Sequence, residues 1–272
     1  MNTSKKSSSS TLDQILLFPS HLSLFFKLDF NECGSKTYSC HAFATCVNEL
    51  GSYSCKCKSG YIGNGLNCRR VPISCADIKT YVSGVSRNYV IDPDGEGGLA
   101  PFTAYCDMTD KKGVGVTVIS HDSESRTAVN GYEDRGSYAR NVHYTGASLS
   151  QLASLTRVSS HCEQFIKYEC YSSILLYNRD PYGWWVSRDS TKMTYWGGAS
   201  ISGKCACSMT NSCAHSGFGC NCDKNDFVWR EDSGLLTDKT KLPVKQLRFG
   251  DTGGRREQGY HTLGKLKCYG TA

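Results

Sequence analysis

Residues 29–68 read DFNECGSKTYSCHAFATCVNELGSYSCKCKSGYIGNGLNC. Within them lie Cys33, Cys40, Cys46, Cys55, Cys57 and Cys68. A segment this short cannot bury a core large enough to hold itself together. Paired cysteines are the usual substitute. If they are paired, the protein matures in an oxidising compartment, and that limits what the other residues can do.

The rest of the chain agrees with that compartment. It has 272 residues and 16 cysteines, running from Cys33 to Cys268. Sixteen reduced thiols in a cytosol would need metal, whereas eight disulfides are ordinary in an exported protein. The expected location is therefore secreted and extracellular. There are 31 basic and 25 acidic residues, a net charge of +6. No run of Lys or Arg is longer than a pair, so no nucleic-acid partner is expected. No stretch of 18 apolar residues occurs, which predicts no transmembrane segment in this chain. Residues 1–28 read as a disordered N-terminus. A Ser- and Lys-rich start is followed by a short apolar run, Ile15–Phe26, that would serve as a degenerate signal region.

Between the six cysteines lie six, five, eight, one and ten residues. The closing loop, Cys57 to Cys68, carries Gly60, Tyr61, Gly63 and Gly65. Its glycines permit tight turns, and Tyr61 can pack over a disulfide. Six cysteines allow fifteen pairings. The spacing and the glycine-aromatic-glycine pattern resemble the epidermal growth factor-like (EGF-like) module. That resemblance implies the pairs Cys33–Cys46, Cys40–Cys55 and Cys57–Cys68.

Two half-motifs resemble the calcium-binding subclass of that module. Asp29-Phe30-Asn31-Glu32 precedes the first cysteine, and Asn48-Glu49-Leu50-Gly51-Ser52-Tyr53 lies between the third and fourth. Calcium takes six to eight oxygens from carboxylates, amides and backbone carbonyls, so these residue types suit it. The resemblance implies side-chain ligation by Asp29, Glu32 and Asn48, and backbone-carbonyl ligation by Phe30, Glu49 and Ser52. The plain alternative is a set of solvated polar residues at a module edge. Asn48 also fits the family's pattern for β-hydroxylation, which calcium binding does not require.

Residues 69–73, containing Arg69-Arg70-Val71-Pro72, read as a linker; processing at the dibasic pair is the weaker reading. From residue 74 short β-branched and aromatic runs alternate with Gly, Pro and Asp turns. Cys75 and Cys106 would staple the first hairpin region. This order resembles the start of a fibrinogen C-terminal-like domain, with Val116 where that family usually has tryptophan. Over residues 147–170, Leu149, Leu152, Leu155, Val158, Cys162 and Phe165 recur at spacings of three or four. They predict an amphipathic helix capped by Ser148 or Ser150.

Six motifs then follow in order: His161-Cys162-Glu163-Gln164, Trp184-Trp185-Val186, Tyr195-Trp196-Gly197-Gly198, Cys220-Asn221-Cys222-Asp223, Leu242-Pro243-Val244, and Leu263-Gly264 with Leu266 and Cys268. Together they resemble the fibrinogen-like region of contactin-associated proteins and neurexin IV, where an EGF-like module directly precedes it. The resemblance implies a small disulfide-rich β EGF-like module at 29–68, followed by an α+β fibrinogen C-terminal-like domain at 74–272. It also implies cell adhesion.

Cys162, Cys170, Cys205, Cys207, Cys213, Cys220, Cys222 and Cys268 allow 105 pairings, and all stay open. The pairs Cys205/Cys207 and Cys220/Cys222 could hold zinc, but disulfides are the stronger reading in an exported chain. Trp184, Trp185 and Trp196 could form a ligand platform, with burial in the core favoured. The aspartate-rich calcium loop of ordinary fibrinogen-like domains is missing. Asp223 and Asp226 lie near its position with different spacing and flanks, so neither a second calcium site nor acetylated-sugar binding is expected.

Catalysis has no visible basis. GxSxG, HExxH and P-loop motifs are absent, seven histidines are scattered, and oxidised cysteines cannot act as nucleophiles. An Arg-Gly-Asp tripeptide is absent too. The expectation is a non-enzymatic extracellular binding or adhesion protein whose partner is another protein or a glycan. The alternative is a structural component of a secreted or skeletal (biomineral) matrix. The net basic charge gives that alternative no support.

Overall fold

The computed structural model describes residues 5–6, 29–177 and 180–272. They fall into two compact units: the chain through Val71 together with Gly95–Ala100, and Pro72–Asp94 together with Pro101–Ala272. The disorder and signal region expected over 1–28 lie outside the described residues, except that Lys5–Lys6 forms a two-residue strand, β1.

The first unit is held by cross-links more than by a core. Helix α1 (Glu32–Ser35) is a single turn, capped by Asn31 Oδ1 accepting from Gly34 N–H at 2.7 Å. Strands β2 (Ala44–Glu49) and β3 (Ser52–Cys57) form an antiparallel hairpin with Glu49 opposite Ser52. Leu50 and Gly51 make the two-residue turn, and Gly51 sits at φ +76°, a conformation glycine adopts without strain. Strand β1 pairs antiparallel with β3, and β4 (Tyr61–Gly63) with β5 (Cys68–Arg70). Disulfides join Cys33 to Cys46, Cys40 to Cys55 and Cys57 to Cys68. Buried hydrophobic side chains among the described residues of this unit come down to Tyr53, Cys55, Cys68 and Val71. The Tyr61 ring stacks on Phe43, centroids 4.4 Å apart.

The second unit is built on two antiparallel sheets. Helix α2 (Cys75–Tyr81) is capped by Ser74 and tied by the Cys75–Cys106 disulfide to β7 (Phe102–Asp107). The larger sheet also contains β6 (Arg87–Ile91), β8 (Val116–Ile119), β11 (Ser159–Tyr171), β14 (Arg230–Leu236) and β16 (Gln258–Thr271). Its order is β14-β11-β16-β8-β7-β6, with the short β9 (Thr127–Ala128) also on β16. The smaller sheet orders β10 (Tyr138–Asn141), β15 (Gln246–Phe249), β12 (Trp184–Val186) and β13 (Lys192–Met193). Its inward residues Tyr138, Trp185, Leu247 and Phe249 are buried. Phe249 stacks on Tyr168 of β11 at 4.6 Å and on His261 of β16 at 5.6 Å, so the two sheets share a core.

The helix expected over 147–170 is less than half as long. Helix α3 spans Leu149–Val158 and is capped by Ser148, whose hydroxyl accepts from Gln151 N–H while the Gln151 side chain answers to Ser148 N–H. Ser159 then turns extended, its hydroxyl donating to Leu155 C=O, and β11 begins with no loop between. Cys162 and Phe165 therefore lie on a strand. The reason is tertiary: β11 is paired along both edges, with β14 and β16, and those ladders outweigh a local helical spacing.

Candidate functional site

The hairpin turn of the first unit gathers most of the residues expected to bind a cation. Asp29 precedes α1, and its carboxylate accepts twice at 2.6 Å, from Asn48 Nδ2 and from Gly51 N–H. Asn48 and Glu49 end β2 and Ser52 begins β3, so Asp29, Asn48, Glu49 and Ser52 share one hairpin tip. Phe30 adjoins Asp29 and is half exposed. Glu32 is only 4% exposed, yet its Oε2 is buried without a hydrogen-bond partner. An unpartnered buried carboxylate oxygen carries a desolvation penalty of about several kcal/mol unless a cation or donor reaches it. Asn48 is exposed, and its amide faces Asp29 through Nδ2. The donor set therefore suits a hard divalent cation: two carboxylates, an amide oxygen and backbone carbonyls.

The cysteine cluster of the second unit has no such capacity. Its pairs are Cys205–Cys220, Cys207–Cys213, Cys170–Cys222 and Cys162–Cys268, and no cysteine is free among the described residues. Cys205, Cys220 and Asp232 do bring ligand-type atoms within 4.8 Å of one another. With both sulfurs bonded to each other, no thiolate is left for zinc.

The acidic residues beside the cluster are structural. Asp232 is buried; its two oxygens accept from Asn221 N–H at 2.9 Å and Cys222 N–H at 2.8 Å. Burial pushes its carboxyl up to about 7. Asp223 Oδ1 accepts from Leu175 and Leu176 N–H, and burial pushes it up to about 6. Asp226 pairs with Arg230 at 2.6 Å, and that bond leads in holding it down at about 2. A further acidic group, Glu133, Asp251 and Glu257, gathers within 4.8 Å. There Asp251 Oδ2 accepts from Ile174 N–H at 2.6 Å.

The tryptophans divide between two roles. Trp185 and Trp196 are fully buried, with indole N–H donors on Tyr195 C=O and Asp232 C=O, both at 2.9 Å. Trp184 is on the other face of β12 and only half buried. Sequence reasoning gave no notice of Gln164 as a junction. This fully buried amide accepts from Val244 N–H and donates to Gly264 C=O, both at 3.0 Å. Gln164 and the Leu242-Pro243-Val244 motif thus meet in space, although residues 80 apart in sequence carry no local signal of it.

Comparison with known proteins places the chain beside one group. An EGF domain model matches residues 33–68. Contactin-associated protein 1 of Mus musculus is 35% identical over 259 residues, 92% of this chain and 18% of the relative. The Homo sapiens protein is 34% identical over 258 residues, again 92% of this chain and 18% of the relative. Neurexin-4 of Drosophila melanogaster is 35% identical over 242 residues, 85% and 19% respectively. The chain is thus similar, through most of its length, to one segment of contactin-associated proteins and neurexin-4. It spans about a fifth of the length of these curated relatives. No described helix is long and apolar enough to cross a membrane.

Proposed function

We propose that this chain is an extracellular, non-enzymatic adhesion segment, in which a calcium-binding EGF-like module precedes a fibrinogen C-terminal-like interaction domain. The observation that carries the adhesion reading is similarity over 92% of the chain to proteins named for association with contactin. The fibrinogen-like assignment is supported by the Cys75–Cys106 staple and by the structural work of the six ordered motifs. Non-enzymatic action fits the buried Asp223 and Asp232, whose carboxylates are engaged in holding backbone N–H groups.

Calcium is supported by the unpartnered Glu32 oxygen and by the tip that unites Asp29 and Asn48. Asp29, Glu32 and Asn48 would hold the ion by side chains, and Phe30, Glu49 and Ser52 by carbonyls. The ion would supply a fixed double positive charge joining the segment before Cys33 to the hairpin. Titration calorimetry of the chelator-stripped chain is expected to show calcium heat. Glu32→Gln and Asp29→Asn should each weaken binding at least tenfold. No heat, or unchanged affinity in both variants, removes calcium from the proposal. Adhesion is tested apart from this, by binding of labelled chain to cell surfaces with and without chelator. Surface binding that chelation abolishes supports the whole reading; no cell-surface binding refutes adhesion.

A further inference from the structure

The outer face of the smaller sheet carries a concentration of unbalanced positive charge. A cleft of about 530 Å³ opens there, lined by Arg135, Trp184, Lys192, Lys245 and Arg248 with small and uncharged neighbours, and no carboxylate lines it. Register explains why they meet. Arg248 of β15 lies opposite Trp184 of β12, and Val186, two residues on, lies opposite Lys192 of β13. Alternation sends Trp185, Leu247 and Phe249 into the core and leaves their neighbours outside. Arg135 and Lys245 close the cleft from the flanking loops.

Few of these cations are neutralised. Arg135 pairs with Asp180 at 3.0 Å and lies over the Tyr182 ring. Lys192 rests its ammonium 3.9 Å above the Trp184 indole, and Lys245 donates to Ser190 Oγ at 2.8 Å. Arg248 is fixed by donating from Nε to Gln246 Oε1 at 2.7 Å and from Nη1 to Gly136 C=O at 3.1 Å. Its Nη2 has no protein partner among the described residues. Lys192, Lys245 and Arg248 have no carboxylate partner among the described residues either. Three cations held together without counter-charge repel one another, and an anion relieves that repulsion.

We infer that this cleft binds a sulfated saccharide chain. The inference rests on the proposed extracellular setting, where such chains are met, and names one partner class within it. The charge calls for an anion, and Arg248, held in place through Nε and Nη1, is left with Nη2 to donate to a sulfate oxygen. The concave form suits a strand entering it better than a flat lipid surface. The half-buried Trp184 sets apolar surface among the cations, matching a partner that alternates anionic groups with ring faces, while Gln246 and Ser190 hold Arg248 and Lys245 in place. A polyglutamate-like peptide would use the charge and leave that apolar surface idle.

The test uses the whole chain in excess chelator, so that calcium binding has no part in it. A heparin-derived octasaccharide is titrated at several salt concentrations, beside its desulfated form, a polyglutamate peptide of equal charge, and vesicles containing phosphatidylserine. The octasaccharide is expected to bind, with an affinity that falls as salt rises, and the other three are expected to bind at least tenfold more weakly. The Lys192→Gln/Lys245→Gln/Arg248→Gln variant should lose at least tenfold in affinity. Lys56→Gln/Lys58→Gln/Arg255→Gln, which removes the same charge from exposed positions elsewhere, should stay within twofold of wild type. If the triple cleft variant fails to fold, Lys192→Glu alone reverses charge at an exposed edge position and should still weaken binding about tenfold. An octasaccharide that does not bind the wild type overturns the inference. Equal loss in both triple variants, or equal binding of polyglutamate or vesicles, overturns it too, since charge alone would then suffice. Adhesion and calcium stand or fall by their own assays above.

Discussion

His261 shows how a single residue can tie stability to pH. It is fully buried, its Nε2 meets Tyr138 Oη at 2.8 Å, and its Nδ1 is buried without a partner. Burial, helped by the nearby Arg140 charge, pushes its pKa down to about 4. The unfolded chain, with an ordinary histidine near 6.5, therefore binds more protons between those values. Stability is fully present above about pH 6.5 and is lost as pH falls toward 4, by about 1.4 kcal/mol per unit from this residue. Asp223 and Asp232, pushed up to about 6 and 7, act in the opposite sense. The informative quantity is thus the difference from His261→Phe, measured by urea unfolding at pH 7, 5.5 and 4.5. Wild type should lose its advantage as pH falls; a constant difference would refute the argument. Little at this scale is legible beforehand. His261 was one of seven scattered histidines, and its environment comes from Tyr138 and Phe249, more than ten residues away in sequence. The resemblance of their half-motifs, one before Cys33 and one between Cys46 and Cys55, singles out Asp29 and Asn48, and the two side chains do meet.

Among elements, the contact of the Tyr195–Gly198 loop with β14 explains why two glycines adjoin a tryptophan. A Cβ on Gly197 would lie 2.4 Å from Gly234 O, and one on Gly234 would lie 2.5 Å from Gly197 C. The close approach lets Gly198 N–H donate to Leu235 C=O and Trp196 donate to Asp232 C=O. Gly234→Ala is expected to cost about 2 kcal/mol by overpacking. Gly84→Ala, which meets only the mobile end of Lys79, should cost less than about 0.5 kcal/mol. Equal midpoints in urea would show that the loop gives way. The motif itself was readable, but not its purpose: Gly197 packs on backbone 37 residues away in sequence. The overlong helix expectation has the same origin. Periodicity in Leu149–Val158 is real, while Cys162 and Phe165 continued it by coincidence and obey a ladder formed with distant strands.

For the whole molecule, the cross-links differ greatly in reach. Cys162–Cys268 closes a separation of 106 residues and Cys207–Cys213 one of six. In the chain-entropy account, removing the first should cost about 2.5 kcal/mol more than removing the second. Double alanine variants of each pair, compared by chemical unfolding, test this; equal costs would place disulfide stabilisation elsewhere. Composition announced the oxidised state of the molecule, since sixteen cysteines needed a reason. Beyond Cys75–Cys106 it left the second unit's pairings open, since Cys162 on β11 meets Cys268 on β16 across 106 residues and Cys170 meets Cys222 across 52, which no local spacing announces. The position of β16 has a consequence for manufacture. It lies in the middle of the larger sheet, yet every other strand of that sheet precedes it in the chain. A ribosome releases residues in order, so the sheet's two halves emerge before the strand that joins them. Cys162 must wait about a hundred residues for Cys268. During that interval the nascent chain carries open strand edges and unmatched thiols, and a folding assistant has most to protect there.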